Sequence, residues 1–543
     1  MNNRAAIPEH LRCLYGPAAG ATTWDKLASL LDRPRRPAGP GLTERDNLLI
    51  TYGDQVTTPG AVPLQTLAEF LDQHTADLLT GVHLLPHFPF SSDDGFSVID
   101  YRRVDPALGT WPDVQRLGER RRLMLDAVIN HISAQSAWFQ AYRRGEAPFT
   151  AYFVEADPDA DLSAVVRPRA LPLLTPVATT RGLRHVWTTF SADQIDLNFR
   201  NPAVLLEILN ILLFYVANGA QFLRLDAIAY LWKEIGTNCI HRPQTHRIVQ
   251  LIRAVLDEVA PGVRLITETN VPHTDNIAYF GDGTNEAHLV YNFPLPPLTL
   301  HAFRTGNATQ LTRWAAGLTW PTPHVTYFNF LASHDGIGLN PARGLLPETE
   351  IEALLPGHLV SYKNNPDGTR SPYELNANYL DAIGGHPAAF LGAQAIMLAL
   401  RGVPGIYFHS LFGSRGWPAG ATATGHNRTV NRQKFTRAEL ERELADPASE
   451  RYRIFQGYRA LLRARAASPA FDPAAPQRIV DAGPAVFAVE RTAVTGRHQV
   501  LCLHNLAGTL QPIRVATAGR DLLTGQPATA APLQPYEVRW LAE

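Results

Sequence analysis

The sequence has few cysteines, almost no net charge and no long run of basic residues. Cys13, Cys239 and Cys502 are the only cysteines among 543 residues, and their spacing excludes a disulfide framework and a cysteine-rich zinc site. Free thiols are typical of a reducing compartment. The net charge is −1 and the densest basic run is Arg120–Arg122, so a nucleic-acid partner or an anionic membrane surface is not expected.

Long apolar segments are also lacking. The N-terminal stretch MNNRAAIPEHLRCLYG has no apolar core of the kind that a secretory signal needs. The longest apolar run, 208–217, contains Asn210 and is far shorter than a membrane span. We therefore expect a soluble, cytoplasmic protein whose partners are small molecules.

Short apolar runs alternate with longer helical stretches along most of the chain. Continuous apolar runs are typical of parallel strands that are buried on both faces, and alternation with helices indicates βαβ units. Eight such units predict a closed (β/α)₈ barrel in the α/β class. The predicted strands are Asn47–Gly53, Gly81–Phe88, Arg122–Asn130, Gln221–Ile228, Val263–Asn270, His288–Phe293, Tyr327–Asp335 and Val403–Phe408.

The regions outside this pattern predict additional parts. We expect an N-terminal helical extension over 1–45, a catalytic barrel over 46–465 and an antiparallel β domain over 470–543. The stretch of about 133–198 is rich in Pro and Asp and too long for a βα loop, which predicts a small inserted domain after strand three. A second irregular region, about 339–382, follows strand seven, and long loops at this end of a barrel build active sites.

Three carboxylates stand at the ends of predicted strands. Asp226, Glu268 and Asp335 follow strands four, five and seven, at the barrel end where catalytic groups of this fold lie. A single carboxylate there is most often a helix cap. Three together, with Arg224 two residues before Asp226 and on the same strand face, favour catalysis instead.

Glycoside chemistry uses this set of groups. A retaining glycosidase needs an ionised carboxylate as nucleophile and a protonated one, about 5–5.5 Å away, as acid. Adjacent barrel strands supply a separation of this size. We expect Arg224 to lower the pKa of Asp226 and the neighbouring carboxylates to raise that of Glu268.

The segments DAVINH, FLRLDAIAYLWKE, ITETN and FLASHD resemble, in order, the four signature regions of the α-amylase family, glycoside hydrolase family 13. The resemblance implies that Asp226 is the nucleophile, Glu268 the general acid/base and Asp335 the transition-state stabiliser. It also implies a glucose subsite lined by His131, Arg224 and His334.

A closer resemblance is to the sucrose phosphorylase subfamily. It is carried by FPFSSDDGFSVIDYRRVDP, RPRALPLLT, KEIGTNCIHRPQT, SPYELNANY and NRTVNRQKF. It implies that Asp93 and Arg432 hold the glucose 4-hydroxyl, that Phe96 is an apolar platform, and that Arg169 and Tyr373 contact phosphate. No metal or organic cofactor is implied. ERDNLLITYGDQ and NFLASHDGIGLNPARGLLPE resemble the glucosylglycerate phosphorylase group in particular.

The acceptor side departs from the sucrose phosphorylases. Where they carry an aspartate, near Ser371, this chain has Arg370–Ser371, with Lys363 nearby. This predicts an acceptor with a carboxylate, D-glycerate, held by Arg370 or Arg169. The implied activity is a retaining phosphorylase that interconverts glucosylglycerate and phosphate with glucose 1-phosphate and glycerate. Open alternatives are a phosphorylase of sucrose, sucrose 6-phosphate or glucosylglycerol, an α-glucosidase or transglucosidase, and a non-catalytic binding subunit.

Overall fold

A computed structural model describes residues 3–169, 171–364 and 369–543, so Ala170 of the RPRALP segment and residues 365–368 of the second irregular region lie outside the described residues. Eight parallel strands close into a barrel in chain order, which confirms the predicted fold. Each strand is shorter than its predicted run, because the runs continue into the loops that follow. The strands are β1 (Leu48–Thr51), β2 (Gly81–Leu84), β3 (Arg122–Ala127), β4 (Ala220–Leu225), β5 (Arg264–Thr267), β6 (Leu289–Tyr291), β7 (Thr326–Phe330) and β8 (Val403–Tyr407).

Helices cover the outside of the barrel. Several begin with proline in the first turn, as at Pro63, Pro202 and Pro243, where the missing N–H would have no partner within the helix. None of the described helices is both long and apolar enough to cross a bilayer. The main helices are Pro63–Thr75, Trp111–Arg120, Pro202–Ala217, Pro243–Val259, His273–Ile277, Leu295–Thr305, Thr309–Ala316, Pro387–Ala399, Pro418–Thr424, Arg437–Ala445 and Glu450–Ala466.

Two further helices precede the barrel. Asn3–Tyr15 lies against Pro243–Val259, and Pro17–Leu31 lies against Pro202–Ala217. Their apolar side chains belong to the same core as the barrel, and Leu27 is completely buried in it. These helices therefore cover barrel helices that would otherwise face solvent.

The C-terminal region is a five-stranded antiparallel sheet, which confirms the predicted β domain. Trp540 of this sheet is buried and its ring centroid lies 4.8 Å from that of Phe471, just beyond the last barrel helix. Two of the strands were not predicted, because they are short or half-exposed edge strands without a clear apolar pattern. In sheet order the strands are Gln477–Asp481, Val486–Thr492, Gln499–Asn505, Val538–Ala542 and Arg520–Asp521.

Two long connections at the C-terminal end of the barrel carry small sheets. After β3, His131–Ser133 pairs with Gln194–Asp196, and Leu174–Thr179 forms a hairpin with Gly182–Trp187. After β7, a three-stranded antiparallel sheet contains Ile337–Gly338, Arg370–Asn376 and Leu359–Asn364 in that order. Residues of both connections line the pocket described below.

Candidate active site

A pocket opens at the C-terminal end of the barrel. Nine of the twelve predicted site residues line it, so sequence motifs that are far apart in the chain meet there. Arg224 and Arg432 contact lining residues from behind the wall, whereas Arg370 lies elsewhere. The nine are Asp93, Phe96, His131, Arg169, Asp226, Glu268, His334, Asp335 and Tyr373.

Asp226 is the first residue after β4. Its backbone N–H donates to the carbonyl of Ala127 at the end of β3, at 3.2 Å, which fixes the point where the side chain leaves the barrel. Its Oδ1 accepts a hydrogen bond from Nη1 of Arg224 at 2.7 Å. The carboxylate is almost buried, yet it reaches the pocket floor.

Glu268 occupies the corresponding position after β5. Its backbone N–H donates to the carbonyl of Leu225 on β4 at 3.1 Å. Its Oε2 accepts from the backbone N–H of Ala227 at 3.1 Å and lies 3.7 Å from Nη2 of Arg224. One guanidinium therefore contacts both carboxylates, which holds them side by side.

The two carboxyls differ in their electrostatic surroundings. The pKa of Glu268 is raised to about 7, because burial and the negative charges of Asp226 and Asp335 together outweigh the opposing charge of Arg224. Burial also raises the pKa of Asp226, although Arg224 acts in the expected direction. Burial outweighs the predicted lowering by Arg224, so the net shift of the Asp226 pKa is upwards. Asp226 has the shorter ion pair of the two, so a proton shared by the pair rests on Glu268.

Arg224 is itself held by a buried network under the pocket. Nη1 of Arg224 donates to Oδ1 of Asp126 on β3, and Oδ2 of Asp126 lies 2.7 Å from Nε2 of His83 on β2. Burial opposes ionisation of Asp126, but Arg224 and His83 lower its pKa to about 2. The aspartate of the DAVINH motif thus stays ionised and fixes the arginine that joins the two catalytic candidates.

Asp335 lies across the pocket, after β7. Burial alone would raise its pKa, but nearby cations, chiefly Arg428, hold it well below its ordinary value. The ring of His334 stacks on Phe96 at 4.7 Å with 7° between the planes. The carbonyl of Phe96 accepts from Nε2 of His131 at 2.9 Å. Phe96, His131 and His334 therefore form one connected part of the pocket wall.

Arg432 closes the pocket beside Asp93. Its Nε donates to the carbonyl of His334 at 2.8 Å, and its Nη1 lies 3.8 Å from Asp93 and 2.5 Å from Asp94. The sequence identified Asp93 but not Asp94. Both aspartates have positive φ, 52° and 47°, and this turn presents the two carboxylates to one arginine.

Tyr373 and Arg169, which were predicted to contact phosphate, both line the pocket. The pKa of Tyr373 is raised to about 12, because burial outweighs the opposing positive charges of Arg169 and Arg428. The Tyr373 hydroxyl accepts from Nδ2 of Asn270 at 3.4 Å. Arg169 comes from the connection after β3 and Tyr373 from the one after β7, so this part of the pocket is built by both.

Arg370 is not brought to the pocket. It begins the strand Arg370–Asn376, is exposed, and places its guanidinium 5.4 Å from the ring centroid of Tyr362 on the partner strand. Of the two arginines that were expected near the acceptor, only Arg169 lines the pocket.

Two charged residues that the sequence did not single out are prominent here. Arg428 lines the pocket, forms an ion pair with Asp335, and makes two hydrogen bonds with the buried carboxylate of Glu374. The motif NRTVNRQKF contains both Arg428 and Arg432, and only the second was selected. The available signal in the sequence was a second arginine four residues before Arg432 in the same motif.

Comparison with known proteins agrees with this geometry. The α-amylase catalytic domain family matches residues 75–336. The chain is 50% identical to a glucosylglycerate phosphorylase of Allomeiothermus silvanus, over 99% of both chains. It is 46% identical to that of Escherichia coli, over 98% of this chain and 99% of the relative.

More distant similarities agree on the fold. A sucrose phosphorylase of Bifidobacterium adolescentis is 28% identical over 78% of this chain and 86% of its own. The crystal structure of a sucrose 6F-phosphate phosphorylase from Thermoanaerobacter thermosaccharolyticum superimposes with a TM-score of 0.76 at 24% identity, over 86% of this chain and 95% of that one. From the full-length similarity and the four motifs gathered in one pocket, we conclude that this chain belongs to the α-amylase family and, within it, groups with the glucosylglycerate phosphorylases.

Proposed function

We propose that this chain is a retaining phosphorylase that reversibly converts 2-O-α-D-glucosyl-D-glycerate and phosphate to α-D-glucose 1-phosphate and D-glycerate. The observation that carries the chemistry is the pair of carboxyls on β4 and β5, joined by Arg224, with a pKa near 7 for Glu268. A carboxyl that is half protonated at neutral pH can serve as acid in one step and as base in the next.

In the first step, Asp226 attacks the anomeric carbon of the glucosyl unit. The bond between that carbon and the glycerate oxygen breaks, and the proton of Glu268 passes to this oxygen. A glucosyl ester on Asp226 and free glycerate result. Asp335 binds sugar hydroxyls during this step, and its low pKa keeps it in the ionised form that stabilises a cationic transition state.

In the second step, an oxygen of dihydrogen phosphate attacks the same carbon from the face that glycerate has left. The ester bond to Asp226 breaks, the phosphate proton returns to Glu268, and α-glucose 1-phosphate leaves. Two inversions give overall retention. Arg169 and Tyr373, on the acceptor side, are the groups that we propose to contact phosphate, since a planar guanidinium binds oxyanions with two N–H groups.

The donor subsite accepts one glucosyl unit. Asp93 and Arg432 stand at its closed end, where we propose that they bind the 4-hydroxyl. We propose that this ion pair ends the donor subsite and leaves no place for a further sugar. A small acceptor, and not a polymer, therefore fits the opposite side.

Phosphate dependence tests the proposal against a hydrolase or transglucosidase. Purified enzyme is incubated with glucosylglycerate with and without phosphate, and α-glucose 1-phosphate and free glucose are measured. We expect α-glucose 1-phosphate to form in proportion to the glycerate released, and little glucose. Release of glucose at one rate under both conditions would contradict the proposal. Parallel reactions with sucrose, sucrose 6-phosphate and glucosylglycerol test the related phosphorylase activities.

A further inference from the structure

Arg428 makes two contacts with the buried carboxylate of Glu374 and one with the carboxylate of Asp335, which lines the pocket. Its Nε and Nη2 donate to Oε1 and Oε2 of Glu374 at 3.0 and 2.7 Å, in a two-pronged pair. Its Nη1 forms the ion pair with Asp335, which faces the pocket. A guanidinium has five N–H bonds, so one on each terminal nitrogen is left over by these contacts.

Glu374 fixes this arginine at the pocket wall. Its side chain is 1% exposed, so its charge would be unfavourable without Arg428. It also lies against the backbone of Gly336, next to Asp335, with so little space that a Cβ there would come within 2.5 Å of it. Arg428 is therefore oriented by a partner that cannot easily move.

Arg428 lies between the part of the pocket that we propose for the glucosyl unit (the donor side) and the part that we propose for the acceptor (the acceptor side). Asp335 lies on its donor side, and Glu374 directly follows Tyr373 on the acceptor strand. Arg428 and Arg169 both line the pocket that Tyr373 also lines. Among the described residues that line the pocket, they are the only arginines.

We propose that Arg428 recognises the carboxylate of the acceptor and that Glu374 positions it for this role. This inference rests on the proposed function and adds to it the residue that selects an anionic acceptor. It accounts for selection of an acceptor that carries a carboxylate, although Arg370 does not reach the pocket. Because Glu374 holds Arg428 through two N–H groups, the remaining N–H groups keep a fixed direction. Such a fixed planar group is well oriented to bind a carboxylate.

A competing explanation is that Arg428 acts only through Asp335, by keeping it ionised and in place. The two explanations differ in one measurable quantity. D-Glycerate and glycerol differ by a carboxylate in place of a hydroxymethyl group, and both would attack the same glucosyl ester. The ratio of their products does not depend on how fast the ester forms, so an effect through Asp335 leaves that ratio unchanged.

The experiment is a partition assay. The enzyme receives α-glucose 1-phosphate with D-glycerate and glycerol at equal concentration, and glucosylglycerate, glucosylglycerol and glucose are quantified. Glucose, formed with water, is a second neutral reference. For Arg428→Gln we expect the ratio of glucosylglycerate to neutral products to fall by about tenfold to a hundredfold, the range for loss of a charge-assisted hydrogen bond. Arg428→Lys keeps the charge but not the planar fork, and a smaller decrease of about threefold to tenfold follows.

Loss of Arg428 alone leaves the charge of Glu374 buried without this partner, which could prevent folding. A variant that removes both charges is therefore the control for misfolding. Arg428→Gln/Glu374→Gln should fold and show the same decrease as the single variant. Arg370→Gln removes an exposed arginine from the strand that also carries Glu374, and it should keep the product ratio of the parent enzyme.

The inference is overturned if the Lys and double variants keep the parent ratio, however slow they are. In that case Arg428 acts through Asp335. Failure of the proposed function looks different, because the parent enzyme would then form no glucosylglycerate from glucose 1-phosphate and glycerate.

Discussion

The backbone N–H of Ala227 donates to Oε2 of Glu268 at 3.1 Å, directly after Asp226 in the chain. This contact ties the carboxyl at the end of β5 to the backbone at the end of β4. Together with Arg224, it fixes the distance between the proposed acid and the proposed nucleophile. Because that distance is fixed, the protonation state of Glu268 determines whether the first step of the proposed reaction can occur.

The first prediction concerns pH. Cleavage of glucosylglycerate needs protonated Glu268, and the pKa of this group in the empty site is about 7. We expect kcat/KM for glucosylglycerate to fall above pH 7, by about tenfold per pH unit once the group is ionised. The pH profile of Glu268→Gln should lack this limb. A parent profile that stays flat well into the alkaline range would show that another group is the acid.

The second prediction follows from the charge of Asp226, which raises the pKa of Glu268. Esterification removes that charge, so the pKa of Glu268 should be lower in the glucosyl–enzyme than in the empty enzyme. The acceptor step uses Glu268 as base. We therefore expect kcat/KM for D-glycerate, in the synthetic direction, to rise with pH to a plateau, with a midpoint below pH 7. A midpoint at or above that of the cleavage reaction would contradict the account.

The third prediction concerns the leaving group. Glycerate leaves as an alkoxide unless Glu268 protonates it, whereas phosphate is stable as an anion. Glu268→Gln should therefore lower kcat/KM for glucosylglycerate by a factor of about 100 to 10,000 and affect release of phosphate from glucose 1-phosphate much less. Asp226→Asn should abolish both reactions. Equal losses for the two substrates in Glu268→Gln would argue against an acid role.

The fourth prediction concerns stability. Asp126 is completely buried between Arg224 and His83, and Asp126→Asn removes the charge that strengthens both contacts, while Arg224 keeps its ion pairs with Asp226 and Glu268. We expect Asp126→Asn to lower the free energy of unfolding by about 1.5–3 kcal/mol, the range for hydrogen bonds to charged groups, measured by chemical denaturation. Asp77→Asn, in an exposed ion pair with Arg463, should change it little.

The same carboxylate makes a pH-dependent contribution to stability. The pKa of Asp126 in the folded protein is lowered to about 2. Its contribution is therefore fully present above the ordinary aspartate pKa of about 4 and is lost as the pH falls towards 2. The difference in unfolding free energy between parent and Asp126→Asn should shrink over this range. A difference that is constant down to pH 2 would exclude this assignment.

The barrel, and the presence of three carboxylates at the end of it where the pocket lies, could be predicted because their signals are local. Each strand is a continuous apolar run, and each of Asp226, Glu268 and Asp335 follows one within a short motif. The relation between Arg428 and Glu374 could not be predicted in this way, because 54 residues separate them and only the fold brings them together. The exposure of Arg370 depends on the geometry of a hairpin, which its composition does not determine. The net pKa shift of Asp226 depends on burial, which the neighbouring Arg224 does not reveal.

The central claim is that Asp226 carries a glucosyl ester and that phosphate removes it. Glu268→Gln enzyme, treated with α-glucosyl fluoride in the absence of phosphate, should accumulate this ester, and mass spectrometry of its peptides should place the glucosyl group on Asp226. Phosphate added to the isolated ester should release α-glucose 1-phosphate much faster than water releases glucose. A glucosyl group on another residue, or release of glucose at one rate with and without phosphate, would contradict the claim.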